Sequence, residues 1–132
     1  VLENNKIVLC NTTAKKLNIL PNSSLATAQA IHEELVYFER DRLLEQKVLT
    51  SLAAELCALS SQVSMPFEGT ILLEIGASIR LFGSVDVIEQ KAIALSLAAG
   101  LEAVSGIAPT AQAALAFSYS NKNKKKKNKF NK

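Results

Sequence analysis

Tryptophan is absent from this 132-residue chain, and it holds only one histidine, one methionine, two cysteines, three prolines and five glycines. The two cysteines, Cys10 and Cys57, are separated by 46 residues and form no CxxC pair. That spacing excludes a zinc knuckle and a disulfide framework. Both cysteines sit among apolar residues and are expected to be buried, inert thiols of a reducing compartment. His32, between Ile31 and Glu33, reads as a boundary residue near a helix end, with no Cys or Ser beside it for nucleophilic catalysis. Gly-rich phosphate loops and HExxH strings are also missing. No apolar run is long enough to span a membrane, and Val1-Leu2-Glu3-Asn4-Asn5 lacks the basic region and apolar core of a signal peptide. Because Val rather than Met stands first, an internal fragment is the expectation.

Hydrophobic residues make up 48% and charged residues 20%, which excludes a mostly disordered chain. The length suits one folded domain with its own core. The net charge of +3 hides a segregation. Residues 121–132 hold 7 of the 15 Lys and Arg, while residues 1–120 carry 8 basic and 12 acidic side chains, a net −4. A mildly acidic body therefore precedes a basic tail.

Periodicity divides the body into short elements. Turn residues Asn4-Asn5 precede Ile7-Val8-Leu9-Cys10, read as the second arm of a hairpin. Asn11 is placed to cap a helix from Thr12 to about Leu17, with Asn18 at its end. Ser23 is expected to cap a second helix through about Glu34, and Val36–Phe38 reads as a short strand. Asp41 opens the longest helix, to about Leu59, with an apolar stripe of Leu44, Val48, Leu52, Leu56 and Leu59. Gln62–Met65 is extended, and Pro66-Phe67-Glu68-Gly69 is a turn. Thr70–Ile75 is a nearly continuous apolar run, typical of a strand covered on both faces. Ser84 caps a helix to about Ala99, stopped by Gly100, with a core stripe of Val85, Ile88, Ala92, Leu95 and Ala99. Glu102–Ile107 reads as a strand, and Pro109 starts a final helix to about Tyr119. This order suits an α+β fold, a split βαβ (ferredoxin-like) sheet with helices packed on one face.

The most specific string is Leu72-Leu73-Glu74-Ile75-Gly76-Ala77-Ser78-Ile79-Arg80-Leu81-Phe82-Gly83-Ser84. Around it, in order, stand Cys10–Ala28, Phe38-Glu39-Arg40-Asp41 and Gly106–Ala114. Together these segments resemble the ImuB-like, catalytically inactive branch of the Y-family translesion DNA polymerases, from about Lys6 to Tyr119. The resemblance implies a palm built on the split βαβ sheet over 41–120, forming one compact unit with a small fingers-like segment over 1–40. Residues 121–132 are expected to be a disordered Lys/Asn tail.

Active members of that family hold two divalent metals with clustered carboxylates, one on an N-terminal strand and an Asp-Glu pair on a later palm strand. The chain starts after the first of these strands. Setting Leu73-Glu74 on the end of the later strand's motif puts Gly69-Thr70 at the Asp-Glu pair. A slip of one residue brings Glu68 to the Asp position and leaves Gly69 at the Glu position. Glu68 and Glu74 are thus the only metal-ligand candidates, and a solvated turn residue and a sheet-end polar residue are the competing readings. With Arg40 on the family's phosphate-contacting Arg, Leu44 falls where a Tyr is the pattern. The expectation is no enzyme, no catalytic residue and no cofactor.

The tail's functional reading is nonspecific phosphate attraction through Lys122, Lys124, Lys125, Lys126, Lys127 and Lys129. Its competing reading is a frameshifted or read-through end, since Lys, Asn and Phe all have codons of A and T alone. The resemblance implies a bacterial cytoplasmic protein of the DNA-damage response. Its implied partners are DNA, an error-prone replicative-type polymerase, a RecA-like accessory protein and the sliding clamp, with no membrane. Three alternatives stand beside it: a nonfunctional truncated gene product, an active Y-family polymerase lacking its first strand here, and a small palm-like adaptor without a DNA role.

Overall fold

The computed structural model describes the backbone from Val1 to Phe130 and the side chains through Lys122. Among these residues it is a mixed α/β protein with two small antiparallel sheets and six helices. The chain forms two compact units, Val1–Leu44 and Glu45–Lys132.

The first unit opens on a hairpin of β1 (Leu2–Glu3) and β2 (Lys6–Ile7), paired Leu2 to Ile7 and Glu3 to Lys6. Asn4 and Asn5 turn it with φ of 50° and 63°. Asn tolerates this left-handed region, and two such residues in succession match the twist of the strands they join. Asn11 caps α1 (Thr12–Lys16), its Oδ1 accepting from the Ala14 N–H at 2.8 Å, and Asn18 follows at φ 59°. Leu2, Ile7, Ile19 and Ala28 form the core, with Leu25 and Leu35 against them.

Three expectations for this unit are corrected. α2 (Leu25–Ile31) is capped by Ser24, which accepts from Thr27 N–H at 3.1 Å; Ser23 instead gives its carbonyl to Ile7 N–H at 2.9 Å. The helix ends at Ile31 because the next turn would place Glu33 and Glu34 at its negative end. Val36–Phe38 forms no strand. Leu2 donates to Phe38 O and accepts from Arg40 N–H, both at 2.8 Å, which makes one parallel bridge, Leu2 to Glu39. Val36 and Phe38 are 78% and 70% exposed, so no packing extends that pairing.

α3 (Arg42–Leu56) follows, with Asp41 Oδ1 accepting from Leu44 N–H at 2.9 Å. Leu52, Leu56 and Leu59 of the expected stripe are buried, whereas Leu44 is 57% exposed. The helix stops at Leu56, and tighter three-residue bonds carry the turn on, Ala58 N–H to Glu55 O and Leu59 N–H to Leu56 O. β3 (Gln62–Phe67) and β4 (Thr70–Glu74) make the second antiparallel hairpin, pairing Val63 with Leu73 and Ser64 with Leu72. The register shifts between Ser64 and Phe67, around Pro66, which has no N–H to give the ladder. The turn narrows to Glu68-Gly69, with Gly69 at φ 70°.

After β4 come α4 (Ile79–Phe82) and α5 (Val85–Ala98), whose cap Ser84 accepts from Val87 N–H at 3.3 Å. Leu52, Leu56, Leu59 and Ile88 are the second core, joined by Ile71, Leu73, Ile75, Ile79, Phe82 and Leu95. Ile71 and Leu73 share one face of β4, and that face meets both α3 and α5.

Residues 102–107 are irregular instead of forming the expected strand, so β3–β4 stays two-stranded. Gly106 lies so close to the backbone of residues 114–118 that the segment serves as a seat for the last helix. That helix, α6 (Ala111–Phe130), starts with Thr110 Oγ1 accepting from Ala113 N–H at 3.3 Å and runs past the expected end at Tyr119. Residues 121–130 of the tail read as disordered lie within α6, and residues 131–132 lie outside the described residues. Among the described residues no helix is long and apolar enough to cross a membrane.

Candidate functional site

The string from Leu72 to Ser84 builds the connection from β4 to α5. Glu74 ends the strand, and its exposed carboxylate folds back so that Oε1 accepts from Gly76 N–H at 3.0 Å. A Cβ on Gly76 would sit 2.8 Å from that same oxygen, a contact that the exposed end of the Glu74 side chain relieves by shifting. Ile75, Ile79 and Phe82 then drop onto the Leu52, Leu56 and Leu59 stripe. Gly83, at φ 87°, releases the chain to Ser84, which starts α5. Ile75, Ile79, Phe82, Gly83 and Ser84 of the string thus have local folding roles, whereas Leu81 is 80% exposed.

Glu68, the other ligand candidate, is exposed in the β3–β4 turn. It stands at one end of β4 and Glu74 at the other. At about 3.3 Å per residue the strand keeps them on the order of 15 Å apart. Two metals bridged by shared carboxylates sit about 4 Å from each other, so this pair does not converge on one site. Among the described residues no three His, Cys, Asp or Glu side chains cluster with metal-binding geometry.

Arg40 is engaged elsewhere than the phosphate role implied for it. Its Nη1 lies 3.3 Å from Glu3 Oε2, while Arg42 Nε bonds Glu3 Oε1. The hydrogen bond from Arg42, helped by both positive charges, holds the Glu3 carboxyl below its ordinary range. This three-residue cluster went unread in the sequence because its members lie 37 and 39 positions apart, with no local spacing to mark them.

The first unit also carries a half-open groove of about 620 Å³, lined by Leu9, Cys10, Leu17, Val36 and Tyr37, with His32 at its edge. Cys10 packs against the core but is only half-buried, where a buried thiol is the expectation. Cys57 is not a core thiol: it is exposed on the turn after α3, with Sγ 3.4 Å from Ala53 O. The helical period points it away from Leu52, Leu56 and Leu59.

Lys122 is exposed on α6. The side chains of Lys124, Lys125, Lys126, Lys127 and Lys129 lie outside the described residues. One residue before Lys122, Asn121 Nδ2 donates to Ser105 O at 3.1 Å, and Ser105 Oγ in turn donates to Glu89 of α5. These bonds fasten α6 to the second unit immediately before the lysines begin. The chain matches no protein-family model, no curated protein and no solved structure.

Proposed function

We propose that this chain is a noncatalytic, polymerase-like subunit acting in translesion DNA synthesis, with the second unit as its palm-type part and the first as its fingers-like part. The observation that carries this reading is the Leu72–Ser84 string together with its packing. It forms a strand, a glycine turn and a capped helix, and Ile71 and Leu73 pack, half-buried, against the core that Leu52, Leu56 and Ile88 of α3 and α5 form. Helices beside an antiparallel hairpin are one part of a split βαβ palm; the strand that would complete it after α5 is irregular at residues 102–107. DNA, an error-prone replicative-type polymerase, a RecA-like accessory protein and the sliding clamp are the partners proposed with it, in a bacterial cytoplasm. Nucleotidyl transfer is not proposed, since Gly69-Thr70 stands where the family's Asp-Glu pair is expected and Glu68 and Glu74 lie at opposite ends of β4.

Primer extension across a lesion tests this with the full chain. Alone, with magnesium or manganese, the chain adds no nucleotide above a heat-killed control. Added to an error-prone replicative-type polymerase, it raises the yield of bypass product. Extension by the chain alone that is lost on chelation overturns the noncatalytic assignment, and an unchanged bypass yield overturns the accessory role.

A further inference from the structure

β3 and β4 form a sheet of only two strands, and its two edges differ. The outer edge of β3 carries Pro66 and the extra residue of the register shift, both of which break the row of N–H and C=O groups that a further strand needs. β4, Thr70-Ile71-Leu72-Leu73-Glu74, has no proline, lysine or inserted residue. Phe67 and Thr70 flank a two-residue turn and so face each other as a hydrogen-bonded pair. The alternation along β4 then turns the N–H and C=O of Leu72 and Glu74 toward β3, and those of Ile71 and Leu73 outward. Ser60 Oγ, which also reaches Gln62 O, accordingly donates to Glu74 O. Among the described residues no second strand, isolated bridge or backbone bond from a loop takes up the outward groups.

We propose that this edge pairs with the same edge of a second copy of the chain, giving a two-fold dimer with one continuous sheet, β3–β4–β4–β3. The sequence of β4 selects that occupant. About a two-fold axis at Leu72, Ile71 of one copy faces Leu73 of the other, so the residues with outward groups exchange both of their backbone bonds. Thr70 of each copy faces Glu74 of the other, a hydroxyl donor against a carboxylate, and no like charges meet. Ile71 and Leu73 extend the apolar face that packs on Leu52, Leu56 and Ile88, while half-buried Leu72 meets its own counterpart on the opposite face. A lone two-stranded hairpin is marginal in water, and the added strands supply what it lacks. Growth stops at the dimer because β3, now outermost, presents Pro66.

The experiment is sedimentation velocity on the full chain across a concentration series into the micromolar range. A species of twice the chain mass is expected, with nothing larger. Thr70→Glu sets Glu against Glu74 at both ends of the pairing and is expected to weaken the dimer about 10-fold, and Thr70→Glu combined with Glu74→Lys is expected to restore it. In a Cys10→Ser, Cys57→Ser background, Leu72→Cys brings two thiols opposite each other in a non-hydrogen-bonded pair, at a Cα separation of about 4.5 Å, within disulfide reach. Oxidation is expected to link the copies there, while Ser64→Cys, one strand further out on the same face, stays unlinked. A chain that is monomeric at every concentration, as it would be if the edge awaited an extended peptide of another protein, overturns the dimer. So does a dimer that Thr70→Glu leaves unchanged, linkage at Ser64→Cys in place of Leu72→Cys, or growth into larger oligomers. Should Thr70→Glu fail to fold, linkage or its absence at Leu72→Cys decides the proposal. The dimer is independent of the bypass role, so neither result decides the other.

Discussion

Replacing Gly106 with Ala should loosen α6 from the second unit. A Cβ built on Gly106 lies 2.1 Å from Ala114 O, 2.3 Å from Ser118 N and 3.0 Å from Phe117 C. All three are helix backbone atoms, so no side-chain rotation relieves the overlap. Carbon atoms pack best at about 3.5–4.0 Å, so helix and segment must separate by about 1 Å or more. Overpacking of this kind costs about 1–3 kcal/mol and occasionally more, and a rigid helix backbone puts Gly106 at the upper end. The same movement pulls Asn121 from Ser105 O, a hydrogen bond worth about 1 kcal/mol. The expected loss is therefore about 3 kcal/mol. With a urea dependence of about 1.5 kcal/mol per M, the unfolding midpoint falls by about 2 M. Gly100→Ala is the matched control. Gly100 has open space around its Cβ position but a φ of 77°, so the substitution carries only the left-handed backbone penalty of roughly 1–2 kcal/mol. A Gly106→Ala variant within 0.5 kcal/mol of the parent, or no worse than Gly100→Ala, would refute the close seating of α6.

Three further outcomes follow from the cores and the ion-pair cluster. Leu56→Ala, in the middle of the second core, should destabilise that unit by about 2–5 kcal/mol in chemical denaturation, and a loss below 1 kcal/mol would place the α3 stripe elsewhere. Ser60 is buried, with its Oγ accepting from Gln62 N–H at 3.0 Å and reaching the carbonyls of Gln62 and Glu74. Ser60→Ala leaves that N–H unpaired and should cost about 1–3 kcal/mol, with faster amide exchange at Gln62 as its local signature. Glu3 has a folded-state pKa below its ordinary value, so its contribution to stability is present above the ordinary carboxylate range and is lost as pH falls through the folded pKa. Between pH 6 and pH 3 the first unit's urea midpoint should therefore fall more in the parent than in Glu3→Gln, and equal slopes would show that the Arg40 and Arg42 contacts contribute nothing.

What the sequence revealed divides by the range of the physics involved. Most caps and turns were legible because they are decided within four residues: Asn11 and Ser84 hold the N–H groups expected of them, and Asn4-Asn5, Gly83 and Gly100 take positive φ, while the cap expected at Ser23 falls to its neighbour Ser24. The α3 and α5 stripes were legible from Leu52, Leu56 and Ile88, since burial follows the helical period. Strands fared worse because a β-branched run specifies an extended chain but not a partner. Val36–Phe38 pairs its backbone only with Leu2, and Glu102–Ile107 meets a helix at Gly106 in place of a strand. The Glu3–Arg40–Arg42 cluster had no local signal at all. Of the site candidates, Glu74 was found at the end of its strand as read, but its neighbour Gly76 shows what the carboxylate does there, which spacing alone does not.

Damage-induced mutagenesis in the source cell is the most direct test of the proposed role. Cells lacking this chain are compared with the parent, after a dose of ultraviolet light matched for survival. The noncatalytic translesion role predicts that induced mutations fall in the deletion strain, return when the chain is supplied in trans, and return equally with a Glu68→Gln, Glu74→Gln chain. Unchanged induced mutation in the deletion strain would contradict the role, and failure of the doubly substituted chain, expressed and folded as the parent is, would contradict its noncatalytic character.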